Sequence, residues 1–462
     1  MDLYSHVFAR VLYPAWESGL RRRPTLRHLA HLERTQWLPL SDLEATQTHR
    51  LGRLLGHAYA NVPYYRRQFD QVGVRPEAIR SAADLAKLPI LGKDEARDTT
   101  EDRTATAGAK LDVRKKTSGT MGRPLVFGYE RESDYWRQAM KLRGYRWAGL
   151  FPGQRSLHYW GAGPPVGKEQ PTFASRLKTA KVKLDRALRR EHYVDCGRRG
   201  ADELAAVVEI IRRERPEVVV CYAQAGVDLA RHVVERGLRN WDTIPVICGA
   251  ERLLPADRAI LEQAFGPAVF ETYGCREVML IATECPAHTG LHVSMETLVV
   301  EVVVRDSTGG ERPARPGEVG EVVITDLTNL AMPFIRYANG DLAVPAEPGV
   351  CPCGRAHPRL ASIEGRVTET LTDGSGARVN GLVFNVVIAH LAQAIRQFQV
   401  VQHRDRSVTL RVVPTAAFDG HIELVLRQTW EKYLAGVPVK LELVSEIPVT
   451  ATGKRQVGVV ER

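Results

Sequence analysis

A short segment near residue 120 combines hydroxyl side chains, glycines and basic residues. It reads Lys115-Lys116-Thr117-Ser118-Gly119-Thr120-Met121-Gly122-Arg123-Pro124. Glycines allow backbone N–H groups to approach phosphate oxygens, hydroxyls add donors, and the basic residues supply positive charge. The spacing differs from that of a P-loop, GxxxxGK[ST], so the segment alone indicates either an anion-binding loop or an ordinary turn.

Four further segments carry aromatic, acidic or basic side chains next to glycines. They are Gly249-Ala250-Glu251, Tyr273-Gly274-Cys275-Arg276-Glu277, Pro333-Phe334-Ile335-Arg336-Tyr337-Ala338-Asn339-Gly340-Asp341 and Pro448 to Lys454 (PVTATGK). An aromatic ring can stack on a base, and a carboxylate can accept hydrogen bonds from hydroxyl groups or bind a hard cation. Each segment alone is equally typical of a core tyrosine, a Gly-Asp turn or a solvated surface charge.

Cysteine and histidine residues cluster at two places in the chain. Cys285 and His292 precede a β-rich region, and Cys351-Pro352-Cys353-Gly354 follows it. Three thiolates and one imidazole form a complete tetrahedral donor set for a structural zinc ion. His288 and His357 are competing nitrogen donors, and free surface thiols are the alternative because Cys-x-Cys is less specific than Cys-x-x-Cys.

In this order, the five segments from Thr117 to Lys454 resemble the motifs of the adenylate-forming (AMP-binding) superfamily, most closely its phenylacetate–CoA ligase branch. The resemblance extends from about Asn61 to the C-terminus. It implies that Thr117 to Pro124 is the phosphate loop and that Gly249 to Glu251 borders the adenine. Relatives in this branch hold zinc with a similar cysteine and histidine arrangement, which favours a structural zinc site.

The resemblance also implies roles for individual side chains. Tyr273, followed by Gly274, would lie against the adenine ring, and Glu277 would hold Mg²⁺ between phosphates. Asp341 would accept hydrogen bonds from both ribose hydroxyls, and Arg366 would belong to the nucleotide site.

The implied reaction joins ATP to a carboxylic acid. The carboxylate attacks the α-phosphate, pyrophosphate leaves, and a nucleophile, most commonly CoA, then displaces AMP. Lys454 would neutralise the charge that develops during the first step. Tyr159, Trp160 and Gly161 lie where this fold contributes to the acyl pocket, and their rings would suit an aromatic acid, although a core strand explains them almost as well.

Two positions depart from the pattern of the superfamily. Met121 replaces a usual threonine in the phosphate loop, and Thr368-Glu369 stands where two acids normally form the hinge. Two alternatives therefore remain open. One is a ligase that forms an amide or ester on an amine or sugar, without CoA, in polysaccharide or natural-product biosynthesis. The other is a catalytically inactive nucleotide-binding module.

The elements that must position these residues follow from hydrophobic periodicity. Residues 1–110 are predicted to be largely helical, and apolar β-branched runs then alternate with helices, which favours a parallel sheet. Antiparallel strands follow at 297–304 and 321–326. The pattern favours an α/β fold class and predicts a helix at Val383 to Phe398 after a reset near residue 366. The resemblance implies that residues 1–365 are a large N-terminal adenylation body and residues 366–462 a small α+β C-terminal lid domain.

Composition excludes a disordered or fibrous protein. The 462 residues are 44% apolar, with 64 Lys and Arg against 54 Asp and Glu, for a net charge of +10. This excess suits anionic small molecules, and nucleic acid is not expected as a partner. The resemblance also allows a homodimer.

Two segments bear on membranes and location. His6, Arg10 and Pro14 interrupt the apolar N-terminus before a signal-peptide core can form, and no apolar run reaches the length of a membrane span, so a cytoplasmic location is expected. The run from Arg176 to Arg190 holds seven basic residues and one acid. Its leucines share one helical face, which favours a helix docked on the protein. Contact with CoA, an acyl carrier, an acidic glycan or a membrane surface is the alternative.

Overall fold

The computed structural model describes most of the chain. The described residues are 2–117, 125–161, 173–196, 199–306, 310–366, 371–374, 378–379, 391, 393–448 and 458–461. The sequence predictions that fall outside them are the phosphate-loop residues Ser118 to Pro124, the hinge pair Thr368-Glu369, residues 383–390 and 392 of the predicted C-terminal helix, and Lys454.

The first hundred residues are largely helical, as predicted. The α-helices of the described residues are α1 (Leu3–Val7), α2 (Thr25–Thr35), α3 (Leu40–Asn61), α4 (Pro63–Gln71), α5 (Lys93–Asp98), α6 (Arg131–Trp147), α7 (Phe173–Arg189), α8 (Ala201–Glu214), α9 (Ala223–Glu235), α10 (Pro255–Phe265) and α11 (Gly420–Tyr433). Phe8–Leu12 and Ala15–Leu20 are π-helical, and Pro76–Ala78 and Ala82–Lys87 are short 3₁₀ turns. Pro63 occupies the first turn of α4, where its missing N–H costs nothing, and therefore separates α4 from α3.

The strands form one large sheet and three smaller ones. They are β1 (Val113–Lys116), β2 (Val126–Tyr129), β3 (Ser156–Trp160), β4 (Glu191–Asp195), β5 (Val218–Tyr222), β6 (Val246–Gly249), β7 (Val269–Cys275), β8 (Met279–Glu284), β9 (Leu291–Val293), β10 (Leu298–Arg305), β11 (Glu311–Pro313), β12 (Gly320–Asp326), β13 (Tyr337–Pro345), β14 (Arg359–Arg366), β15 (Leu371–Thr372), β16 (Arg378–Val379), β17 (Ile395–Gln402), β18 (Val408–Pro414), β19 (Val439–Leu443) and β20 (Gly458–Val460). The large sheet has the order β11-β10-β12-β13-β14-β9-β8-β7-β6-β5-β3-β4.

Strand β7 joins the parallel and antiparallel halves of the large sheet. Its residues 269–271 pair in parallel with β6, whereas residues 272–275 pair in antiparallel fashion with β8. Both predicted sheet regions are therefore confirmed, although the sequence did not indicate that they form one continuous sheet. Strands β5 and β6 are buried along their whole length, which explains their continuous apolar sequence.

The C-terminal domain is a separate four-stranded sheet, in the order β19-β18-β17-β20, against which α11 packs. The predicted helix from Val383 to Phe398 is wrong at its C-terminal end, because residues 395–398 belong to β17. Pairing with β18 along residues 395–402 supplies these residues with backbone hydrogen bonds, and Ile395 is buried in the domain core. Tertiary pairing thus overrides the local helical pattern.

Helix α7 forms where the basic run predicts a helix, but its apolar side chains are not docked. Val182, Leu184 and Leu188 are 43%, 61% and 50% exposed. The expectation of a helix packed on the body through its leucines is therefore wrong for the described side chains. None of the described helices is long and apolar enough to cross a membrane.

Two fully buried arginines fix α6 against the large sheet. Arg137 pairs with Asp326 at 2.6 Å, and Arg143 pairs with Glu296, which also accepts a hydrogen bond from Thr35 at 3.1 Å. Burial opposes ionisation of Glu296, but Arg143 and the neighbouring His357 hold the pKa of its carboxyl well below its usual range. A buried carboxylate of this kind depends on its cationic partner.

We predict that Arg143→Met lowers the free energy of unfolding by about 3–5 kcal/mol, because it leaves Glu296 buried without its partner. Urea unfolding followed by tryptophan fluorescence would measure the change. Arg312→Met is the matched control, since the Arg312–Glu318 pair is exposed and should leave the midpoint unchanged. Equal shifts for the two variants would contradict the prediction.

Candidate functional site

The Tyr-Gly motif lies at the turn from β7 into β8. A register shift between Tyr273 and Gly274 brings the strands unusually close. A Cβ atom at Gly274 would overlap the backbone carbonyl oxygen of Met279, so this position accepts only glycine. Tyr273 lies just beyond the point where parallel pairing in the large sheet ends. In open α/β sheets, ligands commonly bind near such a point.

A hydrogen-bond network connects Tyr273 to Asp341, 68 residues later in the chain. The Tyr273 hydroxyl donates to Asp341 Oδ2 at 2.9 Å. The Asn339 amide donates to both the Tyr273 oxygen and Asp341 Oδ2, each at 2.8 Å. Burial raises the pKa of Tyr273 well above its usual range, so its hydroxyl remains a donor. Two motifs that are distant in sequence thus share one buried polar cluster.

Glu277 lies in a second buried cluster. Its Oε1 accepts a hydrogen bond from the Tyr337 hydroxyl at 2.9 Å and lies 3.9 Å from Lys93 Nζ. Its backbone carbonyl accepts a hydrogen bond from Arg137. Arg276 does not compete for this carboxylate, because its guanidinium is exposed and donates to the carbonyl of Lys116 at 2.8 Å. The sequence therefore located Glu277, whereas Lys93 was missed because it lies in an unremarkable helical segment.

The ends of the phosphate-loop segment are joined to each other. Strands β1 and β2 form an antiparallel hairpin. Just after β1, the Thr117 N–H donates to the carbonyl of Leu125, which directly precedes β2, at 2.9 Å. Thr117 Oγ1 accepts from the Leu125 N–H at 3.0 Å, which leaves the hydroxyl proton of Thr117 to donate elsewhere. Arg276 connects this hairpin to the turn that carries Glu277.

The segment Gly249 to Glu251 follows β6, beside β7. Ala250 has a left-handed backbone with φ of 69°, which turns the chain sharply at the end of the strand. Glu251 accepts a hydrogen bond from the backbone N–H of Gln224 at 3.0 Å, in the first turn of α9. A Cβ at Gly249 would lie 2.8 Å from Thr272 Oγ1 and 3.4 Å from Trp160 Cη2. The absence of a side chain at Gly249 therefore leaves room for the side chains of Thr272 and Trp160.

The three residues of the expected acyl pocket do not all line the same side of strand β3. Tyr159 and Trp160 point to opposite faces of β3, as successive strand residues must. Tyr159 is fully buried in the core beneath α9, and its hydroxyl has no partner among the described residues. Trp160 contacts Tyr222 edge to face at 4.5 Å, and Gly161 follows in a bend. Of the three, Trp160 is the side chain next to the Gly249 segment.

Arg366 and Arg336 occupy different environments. The backbone of Arg366, in β14, pairs directly with Asp341 in β13, which places this expected nucleotide-site residue beside the segment that ends at Asp341. Arg336 is fully buried and pairs with Glu301 at 3.0 Å and Glu311 at 2.6 Å. These ion pairs connect the start of β13, the strand that carries Asp341, to strands β10 and β11.

Cys285, His292, Cys351 and Cys353 converge, with one ligand atom from each lying within 4.8 Å of the others. Cys285 Sγ lies 3.7 Å from Cys351 Sγ, and His292 Nε2 lies 3.3 Å and 3.5 Å from the sulfurs of Cys285 and Cys353. All seven cysteines of the chain are free thiols, and the 3.7 Å separation is far longer than a disulfide bond. The cluster has the donor set of a closed metal site.

The structure selects among the candidate histidines. His288 Nδ1 lies 3.0 Å from Glu284 Oε1, and His357 Nε2 lies 3.2 Å from Glu296 Oε1. Neither nitrogen is directed at the sulfurs, so His292 is the imidazole of the cluster. Burial lowers the pKa of His292 to about 3, which keeps the ring neutral as a metal ligand requires.

Several known proteins are similar to this chain in sequence or in structure. Residues 371–460 match the family described as the CapK C-terminal domain. The chain is 29% identical over 375 residues to a phenylacetate-coenzyme A ligase of Thermus thermophilus, covering 80% of each chain. It is 30% identical over 339 residues to that of Aromatoleum evansii, covering 71% of this chain and 72% of the relative.

A solved structure of 2-hydroxyisobutyryl-CoA ligase in the postadenylation state has a TM-score of 0.71 and 20% identity, covering 93% of this chain and 92% of that chain. The likeness confirms the expected fold class, a large α/β body with a smaller C-terminal domain.

We predict that Gly274→Ala lowers the free energy of unfolding by about 2 kcal/mol or more, because the added methyl group must push β7 and β8 apart. Chemical denaturation would measure the loss. Gly56→Ala in α3 is the control, since a Cβ there meets no atom within 4 Å. A Gly274→Ala protein as stable as Gly56→Ala would contradict the close strand approach.

Proposed function

The chain belongs to the phenylacetate-coenzyme A ligase family of adenylate-forming enzymes, and we propose which of its residues carry the reaction and which kind of acid it takes. The protein is an AMP-forming acid–CoA ligase: it activates a carboxylic acid with ATP as acyl-AMP and transfers the acyl group to CoA.

The observation that supports the nucleotide site is the hydrogen bond between Tyr273 and Asp341. It places an aromatic ring and a carboxylate side by side, which suits an adenine and the hydroxyls of its ribose. Asn339 holds both groups in position, because its amide donates to each of them. Gly249 to Glu251 and Gly274 complete this site, and Arg366 would contribute from β14.

Glu277 is the proposed ligand for Mg²⁺. Its carboxylate is buried and oriented by Tyr337, and it lies near the hairpin that leads into the phosphate-loop segment 118–124. Mg²⁺ bound there would neutralise phosphate charge during pyrophosphate release. Lys93, 3.9 Å from the same carboxylate, adds a cation that the sequence did not indicate.

The proposed acid is aromatic or flat. Trp160 and Tyr222 present adjacent rings next to Gly249, and flat acids stack favourably on such surfaces. The proposed domain boundary lies between residues 365 and 366, so that the lid, residues 366–462, can bring Lys454 to the α-phosphate.

Acid-dependent ATP–pyrophosphate exchange across a panel of aromatic and aliphatic acids tests this function. We expect exchange with aromatic acids, and an acyl-CoA product when CoA is added. Exchange followed by an amide or ester product on an amine or sugar, without use of CoA, would identify the other kind of ligase. Absence of exchange with every acid would leave a nucleotide-binding module.

We predict that Lys454→Ala slows acyl-AMP formation by about 100-fold or more, the usual scale for loss of one transition-state charge contact. Thiolysis of supplied acyl-AMP should change far less, because Lys454 serves only the first step. Lys440→Ala, an exposed lysine of the same domain, is the control. An equal loss in both half-reactions would refute this division of roles.

The cysteine–histidine cluster is proposed to hold a structural zinc ion. Tetrahedral zinc, with Zn–S near 2.3 Å and Zn–N near 2.05 Å, requires S···S separations of about 3.8 Å and S···N separations of about 3.6 Å. The observed 3.7 Å between Cys285 and Cys351, and the 3.3 Å and 3.5 Å from His292 to Cys285 and Cys353, lie within about 0.3 Å of these values. The zinc would tie the loop before β9 to the loop before β14.

We predict that protein purified without chelator contains about one zinc per chain, and that Cys351→Ser loses both the metal and thermal stability. Metal analysis with a melting curve measures both. Cys196→Ser, a buried thiol outside the cluster, should retain its zinc. Wild-type protein without metal, or Cys351→Ser with its full zinc content, would contradict the proposal.

A further inference from the structure

The N-terminal helical segment, residues 3–20, has a buried stripe and an exposed apolar stripe. Ser5, Phe8, Tyr13 and Glu17 face the protein and are buried. Six large apolar residues are exposed: Leu3, Val7, Val11, Leu12, Trp16 and Leu20. Within each stripe, residues on successive turns are three to five positions apart, and the longer spacings match the π-helical turns, which have more residues per turn than an α-helix.

Helix α7 adds a second exposed apolar surface. From residue 179 to 188 every side chain except that of Asp185 is exposed. Leu184 and Leu188 are one helical turn apart and therefore lie on one side, with Lys181 and Lys183 flanking them. A soluble body rarely leaves two adjacent apolar helix surfaces in water without a function.

The two helices meet at one corner of the molecule. The Tyr4 hydroxyl donates to the carbonyl of Leu188 at 2.7 Å, and Arg190 pairs with Asp2 at 2.6 Å. The guanidinium of Arg189 lies 5.0 Å from the ring of Tyr13. We call the exposed residues of segment 3–22 and of 179–188 the amphipathic face.

The charges of the amphipathic face are almost all positive. Its exposed basic residues are Arg10, Arg21, Arg22, Lys181, Lys183 and Arg186. Within the described part of the chain no carboxylate lies within 4.0 Å of any of them, whereas the nearby acids Asp2 and Asp185 already pair with Arg190 and Arg189. Arg21 lies over the ring of Trp16 at 4.7 Å, so that an amphipathic ring stands beside a cation.

We propose that the amphipathic face binds the surface of an anionic lipid bilayer. Apolar side chains would enter the boundary between headgroups and acyl chains, and the basic residues would contact lipid phosphates and carboxylates. Trp16 suits this boundary, because its ring is apolar and its N–H is polar. The face lies at the β4 edge of the large sheet, so binding would leave the β7 and β13 motifs on other strands accessible.

Charge and polarity argue against two other occupants. A second copy of the chain, placed by two-fold symmetry, would bring the same basic rim against itself. A nucleic acid would neutralise the arginines and lysines but would leave Leu3, Leu184 and Leu188 in water. An anionic bilayer satisfies both the charge and the apolar surface.

Vesicle flotation of the full-length protein tests the proposal without any substrate. We expect binding to phosphatidylcholine vesicles with about 30% phosphatidylserine, little binding to phosphatidylcholine alone, and release at about 0.5 M salt, where surface charges are screened. Failure to bind anionic vesicles, or equal binding to neutral ones, would overturn the proposal. Since no ATP or acid is present, the outcome is independent of the proposed catalytic residues.

Matched variants locate the binding surface. Lys181→Glu with Lys183→Glu, and Leu184→Glu with Leu188→Glu, should each weaken partition by about tenfold or more. The controls lie on the C-terminal domain: Arg404→Glu and Leu424→Glu carry the same types of change at exposed positions. All variants should melt at the wild-type temperature, because the changed side chains are exposed.

Two results would overturn the assignment of this face. The first is that both α7 double variants bind vesicles as strongly as the control variants Arg404→Glu and Leu424→Glu. The other is a dimer, measured by light scattering, that Leu184→Glu with Leu188→Glu dissociates, since this would show that the face is covered by a second copy of the chain.

Discussion

One buried guanidinium, that of Arg137, fixes the parts of the molecule that surround the proposed site. It pairs with Asp326 at the end of β12, donates to the carbonyl of Glu277, bonds Ser133 on its own helix, and lies over the ring of Tyr129 at 4.2 Å. A buried charge is tolerated only when it is paired and hydrogen-bonded. The contacts of Arg137 therefore hold helix α6, the β1–β2 hairpin and the turn before β8 in one favourable arrangement. Glu277 lies in that turn, so its position is fixed by the same contacts.

The change from parallel to antiparallel pairing along β7 has a comparable effect on the proposed nucleotide motifs. Parallel pairing with β6 ends at residue 271 and antiparallel pairing with β8 begins at residue 272, just before Tyr273. Strand β13, in the antiparallel half of the sheet, carries Asp341, whose carboxylate accepts a hydrogen bond from the Tyr273 hydroxyl. Two short polar clusters result, one around Tyr273 and one around Glu277, both held by buried hydroxyl donors whose pKa burial raises.

Buried ion pairs next to these clusters explain how the proposed site can be polar and still have a fixed structure. Arg336 and its two glutamates lie beneath the strand that carries Asp341, and Arg143 with Glu296 lies beneath the cysteine–histidine cluster. Each of these arginines is paired with at least one carboxylate, and each arrangement would become costly if one partner were lost. The amphipathic face is the opposite case, because its cations have no carboxylate near them in the described part of the chain and its apolar side chains are exposed.

The sequence by itself determined the local chemistry: the motif residues, the parallel and antiparallel strand runs, most of the described helices, and the three cysteines of the cysteine–histidine cluster with their candidate histidines. These depend on residue type and short-range periodicity. Only the tertiary structure decided that Tyr273 meets Asp341, that Lys93 approaches Glu277, that His292 is the clustered imidazole, and that residues 395–398 extend a strand. It also decided that α7 leaves Leu184 and Leu188 in solvent. Such contacts join positions far apart in the chain, and their energies depend on burial and on partners that no local pattern specifies.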